Sequence, residues 1–103
     1  MLISQNFNRF YRAIIKEVRD KLYALAEDKE AYKEVTPTSV ADALKMQNEN
    51  YPVGEDGVKI STAKITSKEL TNHLEFIRLF CSERGITLNV DDEAWNREMS
   101  KHR

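Results

Sequence analysis

The sequence predicts an α+β fold, mainly α, with three to four helices and a small two-stranded sheet in a β-α-β module at residues 58–90. Three observations carry this expectation. Apolar residues recur at helical spacing over 5–26 and again over 67–84. Two short stretches, 58–62 and 86–90, alternate apolar with polar residues as half-buried strands do. The second long helix lies between those stretches, and capping residues mark its entry and its exit.

In chain order, the first helix spans 5–26. Phe7, Tyr11, Ile14, Ile15, Val18, Leu22 and Leu25 advance by three and four and form one apolar stripe. Arg9, Arg12, Lys16 and Arg19 advance the same way on another row, so their charges align along one side. Glu17 and Lys21 are placed for an ion pair four residues apart. Residues 27–35 are dense in charge and read equally as a helical extension or a solvated connection. Thr36-Pro37 opens a short helix over 37–47, with the threonine as cap and the proline in the first turn. Val40, Ala43, Leu44 and Gln47 share its inner face. Residues 48–57, with Pro52, Gly54 and Gly57, form a loop that Tyr51 and Val53 attach to the body.

The central module follows: strand 58–62, helix 67–84, strand 86–90. Thr66 and Glu69 stand at the spacing of a capping box, and Ile65 and Leu70 flank it as a hydrophobic staple would. Leu70, Leu74, Ile77 and Cys81 form the helix's apolar face, widened by Phe76, Leu79 and Phe80. Gly85 after Arg84 signals a left-handed cap, on which Ile86 packs back. Asp91 or Asp92 caps a last helix over 92–100, whose Trp95 and Met99 pack on the body, and residues 100–103 are expected to fray. Two strands alone make a marginal sheet. They are therefore expected to pair across a right-handed crossover or with a second copy of the chain, which predicts a homodimer.

The 103 residues read as a single domain, and 41% hydrophobic with 32% charged content is that of an ordinary globular chain. A net charge of -1 argues against a strongly basic nucleic-acid binder while leaving room for a local basic patch. The single cysteine forms no internal disulfide and fits a reducing cytoplasm. No apolar run approaches the length of a membrane span, and the start lacks a signal peptide's apolar core.

Catalytic chemistry needs a constellation of groups, and the sequence offers none. His73 has no second ligand at metal-binding spacing and reads as a core or boundary residue. Cys81 lies on the apolar face without an activating base. Asp91, Asp92 and Glu93 are explained by a helix start, and no phosphate-cradling glycine loop is present. A protein that is no enzyme, with no cofactor and no metal, is expected.

Ser61-Thr62, Ile65-Thr66, Glu69-Leu70, Ile77, Phe80 and Glu83-Arg84-Gly85-Ile86 resemble the C-terminal half of the phage lambda Orf (NinB) recombination proteins. Gln5-Asn6 and Asn8-Arg9-Phe10-Tyr11 are similar to that family's polar entry to its first helix, and Thr36 to Lys45 to its short middle helix. The resemblance covers residues 4–93 and places the chain's start almost at that first helix, without the β-rich N-terminal part of the lambda-type protein. It implies a homodimeric α+β protein that binds single-stranded DNA in the host bacterium's cytoplasm. It also implies assistance to recombinase loading in phage recombination, alongside a single-strand-binding protein. It carries over no catalytic centre.

The candidate nucleic-acid contacts come from the residues themselves. They are Arg9, Arg12, Lys16 and Arg19 on the first helix, then Lys59, Lys64 and Lys68 on and after the first strand. Lys64 and Lys68 flank a helix start, where free amides and the dipole also favour anions. The alternative is a protein-interaction adaptor, marked by an exposed apolar patch around Tyr51 or Trp95. A hydrolase or nuclease would need clustered acids holding a metal.

Overall fold

The computed structural model describes residues 3–103 and is built of helices. Helix α1 (Gln5–Leu25) is followed by one turn, α2 (Lys29–Tyr32), then by α3 (Pro37–Gln47). After a loop and a 3-10 turn (Thr62–Lys64) come α4 (Ser67–Glu83) and α5 (Asp92–Ser100). Helix α1 packs on α2, α3 and α4. Its buried residues Phe7, Tyr11, Ile14, Ile15 and Val18 meet Val40 and Leu44 of α3 and Leu70, Leu74 and Ile77 of α4 in one core. Each such side chain, fully buried, contributes roughly 1.5–3 kcal/mol before the entropy of ordering it is counted.

Local chemistry sets the helix ends. Ser4 caps α1 by accepting the Phe7 N–H at 3.1 Å. The capping box of α4 is complete: Thr66 Oγ1 accepts the Glu69 N–H at 3.1 Å, and Glu69 Oε1 accepts the Thr66 N–H at 2.8 Å. At its other end Gly85 has φ +71°, and the Ile86 N–H donates to the Cys81 carbonyl at 2.8 Å while the Gly85 N–H donates to Ser82 at 3.2 Å. This crossed pair is the Schellman arrangement, which a glycine in the left-handed region makes possible.

The expected α+β architecture with a two-stranded sheet is overturned: 64% of the described residues are helical, and no sheet forms among them. The backbone hydrogen bonds of the two alternating stretches go elsewhere. The first turns back on its own loop: Gly54 N–H donates to the Val58 carbonyl at 2.9 Å and Ile60 N–H to Pro52 at 3.1 Å, with an isolated antiparallel bridge between Val53 and Lys59. The second lies against α1 as an extended strap. Lys21 Nζ donates to the Thr87 carbonyl, and the Asn89 N–H donates to Glu17, whose carboxylate pairs with Lys21 at 2.9 Å. Ile86 and Leu88 are buried and Thr87 and Asn89 exposed, so the alternation reports one face of an extended segment on a core. Side chains of α1 take the place of a neighbouring strand.

Smaller corrections follow. Leu25 and Leu79 stand 60% and 58% exposed rather than on the inner faces, and Ala43 and Gln47 of α3 are exposed too. Of the two residues expected to attach the 48–57 loop, Tyr51 is buried and holds it, whereas Val53 is 51% exposed. The chain end does not fray. His102 stacks on Phe7 with ring centroids 3.7 Å apart, and Arg103 pairs with Glu75 at 2.7 Å. Among the described residues no helix is long and apolar enough to cross a membrane.

Candidate functional site

Where α1 crosses α3 an open groove of about 470 Å³ forms. Tyr11 and Ile15 of α1 and Pro37 and Ala41 of α3 give it apolar walls, and Arg12, Lys16 and Lys45 bring three cations to it. Arg12 and Lys16 arrive together because a spacing of four keeps them on one side of α1. Lys45 comes from the last turn of α3. Asp42 also lines the groove and is its one acid, while Thr38 and Thr62 add hydroxyls. The Thr36 side chain caps the Ser39 N–H, and Pro37 has none. The Thr38 amide is thus left as a first-turn donor at the positive end of the α3 dipole.

The seven candidate cations divide into two groups. Arg9, Arg12 and Lys16 are exposed and enter no ion pair among the described residues. The same holds for Lys64 and Lys68. Arg9 lies one turn before Arg12 on the same row, and Lys64 closes the 3-10 turn that Thr62 opens at the groove. Lys68 stands in the first turn of α4, outside the groove lining.

Arg19 and Lys59 have structural work instead. Arg19 Nε donates to the Val35 carbonyl at 2.8 Å and Nη2 to Lys33 at 3.5 Å, its Nη1 meets Asp20 at 3.3 Å, and its guanidinium lies 5.3 Å from the Tyr23 ring centre. It fastens the α2–α3 connection to α1. Lys59 Nζ donates to the Asn48 carbonyl at 2.9 Å and so closes the C-terminal end of α3. Lys45, absent from the sequence-derived candidates, is the cation the structure adds.

A buried polar cluster lies beneath this face. His73 is 1% exposed and Asn48 5%. Asn48 Oδ1 accepts the Asn50 N–H at 3.1 Å, which turns its Nδ2 toward His73 Nδ1, 2.9 Å away. Nδ1 therefore accepts, and the ring proton sits on Nε2, which has no partner among the described residues. Burial, reinforced by Lys45 and Lys59, lowers the His73 pKa to about 4, so the ring is neutral. Tyr51 meets His73 edge-on at 4.7 Å, and its hydroxyl donates to the Ile60 carbonyl at 2.7 Å. Burial, then the Glu69 charge, push the Tyr51 hydroxyl up to about 12. The Tyr11 hydroxyl is raised too, mainly by burial, and is unpartnered among the described residues.

Cys81 is buried and its thiol is pushed up by burial, the opposite of an activated nucleophile. Among the described residues no three His, Cys, Asp or Glu side chains converge as a metal site. Tyr51 and Trp95, expected to mark an adaptor's exposed patch, are 3% and 0% exposed and belong to the core. No protein-family model, curated protein or solved structure matches the chain.

Proposed function

We propose that this chain binds single-stranded DNA, with phosphates on the Arg9–Arg12–Lys16 ridge and on Lys45 across the α1/α3 groove. One observation carries the reading: three cations without ion-pair partners among the described residues line one groove, whose exposed or half-buried apolar walls come from Pro37 and Ala41. Cations along a rod follow a phosphate backbone, and apolar walls suit the faces of unstacked bases. The net charge of -1 conceals this local concentration, because the acids lie mostly elsewhere: Glu27, Asp28, Glu30 and Glu34 crowd the α1–α3 connection.

A role as a non-enzymatic accessory to phage recombination rests on the Orf-like residues alone, as do a homodimer and a single-strand-binding protein or recombinase as partner. The all-helical architecture departs from the α+β fold that the resemblance implied. DNA binding stands on the groove itself.

Fluorescence anisotropy of a labelled single-stranded oligonucleotide, at low and moderate salt with duplex as control, tests the proposal. Salt-sensitive binding that prefers single strands and weakens in Arg12→Ala and Lys16→Ala is expected. Absence of binding to either form at low salt would overturn it.

A further inference from the structure

We infer that a second cleft, beside the groove, takes a base of the bound strand and favours bases that carry an exocyclic amino group. This rests on the single-stranded DNA reading above. The cleft encloses about 670 Å³ between the 48–52 loop and α4, within the range of small-ligand sites. Lys45 links the two: it lines the groove, and its ammonium lies 5.7 Å from the ring centre of Tyr51, which lines the cleft. A phosphate at Lys45 therefore lies one aromatic ring away from the cleft.

The lining selects base over backbone. Glu69 and Glu75 both line the cleft; one oxygen of Glu69 accepts the Thr66 N–H and one of Glu75 pairs with Arg103, and the oxygens left over make the cleft less favourable to a phosphate than the groove with its three cations. Carboxylates accept hydrogen bonds from the amino groups of cytosine, adenine or guanine, and thymine has none to give. Asn50 and Asn72 are exposed and line the same cleft. Each offers a donor and an acceptor side by side, the pattern that pairs with a base edge. Phe76, half-buried and parallel to the His73 ring within 13°, provides an aromatic surface.

The inner wall is fixed in advance. Asn48 is held by His73, by the Asn50 amide and, through its carbonyl, by Lys59, and Tyr51 is anchored by the Ile60 carbonyl. A wall ordered before binding costs little to organise on binding. His73, 1% exposed, backs the cleft from within the core, so its ring stiffens the wall.

Anisotropy titrations of three oligonucleotides of equal length, oligo-dC, oligo-dT and an abasic strand, test the inference in the wild-type chain and in Asn72→Ala and Asn50→Ala. Oligo-dC should bind about tenfold more tightly than the abasic strand, with oligo-dT nearer the abasic value. Asn72→Ala and Asn50→Ala, at exposed positions, should shrink the dC-to-abasic ratio and leave the salt slope as it was. Equal affinity for dC and abasic strands, or an unchanged ratio in both variants, overturns the base cleft while the backbone reading stands. If none of the three binds at low salt, both fall together.

Discussion

Arg19 and Val35 are joined by a 2.8 Å hydrogen bond from the guanidinium Nε to the backbone carbonyl, across the end of α1 and the entry to α3. That bond separates Arg19 from Arg12 and Lys16, its neighbours on the same helix row. Arg19→Ala should destabilise the fold by about 1–2 kcal/mol, as expected for loss of a charged donor to a backbone carbonyl. It should change DNA affinity less than Arg12→Ala does. Arg12, exposed and outside any ion pair among the described residues, should show the reverse pattern, with stability within about 0.5 kcal/mol of wild type. Urea denaturation and oligonucleotide anisotropy on both variants check the pair. Equal effects on both readouts would remove the distinction.

His73 links the buried cluster to pH. Its pKa of about 4 in the fold lies below the ordinary value of about 6.5 in an unfolded chain. The unfolded state thus binds a proton between those two pH values that the folded state refuses. Stability from this group is complete above about pH 6.5, falls as pH drops through the window, and levels off below about pH 4, a loss of roughly 3 kcal/mol. His73→Gln keeps an acceptor for Asn48 and removes the titration. Its denaturation midpoint should be flatter than wild type between pH 6.5 and the onset of carboxylate protonation. An unaltered slope in that variant would assign the pH dependence to other groups.

Gly85 sits at φ +71°, and a Cβ there would meet nothing within 4 Å. Substitution therefore costs conformational strain alone, with no clash to relieve. Gly85→Ala should lower stability by about 1 kcal/mol and Gly85→Asn by less, because asparagine tolerates the left-handed region better. Thermal melts of the two variants give the comparison, and an alanine variant as stable as wild type would show that the α4 exit relaxes out of the Schellman turn.

The entry and exit of α4 could be read from the sequence because Thr66, Glu69 and Gly85 act on their own backbone within a few residues. The sheet could not be judged that way. Ile86 and Leu88 alternate with polar residues, as any extended segment with one face on a core must, and the pattern carries no information about what its amides meet. Here the Thr87 carbonyl accepts from Lys21 and the Asn89 N–H donates to Glu17, residues more than sixty positions earlier whose own spacing suggested only a helix-surface pair. The candidate site divides similarly. Arg12 and Lys16 were legible from spacing along one helix. Lys45 was not, since a lone lysine in a short helix means little until α1 and α3 cross. The capture of Arg19 and Lys59 by the carbonyls of Val35 and Asn48 leaves no trace in residue types.

The crossing of α1 and α3 yields the most direct test of the groove. If Lys45 contacts phosphate, Lys45→Ala should lower the slope of log affinity against log salt by about 0.7, the amount associated with one phosphate contact on a single strand. Arg12→Ala and Lys16→Ala should each do the same, and Arg9→Ala too if the strand follows the ridge one turn further. Arg97→Ala supplies the control, because Arg97 is exposed on α5 and already paired with Glu93 at 3.3 Å. It should leave the slope unchanged. Asp42, the groove's one acid, should act in the opposite sense: Asp42→Asn removes a charge that repels phosphate and should tighten binding at low salt while leaving the single-strand preference in place. Equal slope changes in Arg97→Ala and Lys45→Ala would show attraction to overall charge rather than a strand lying between these two helices.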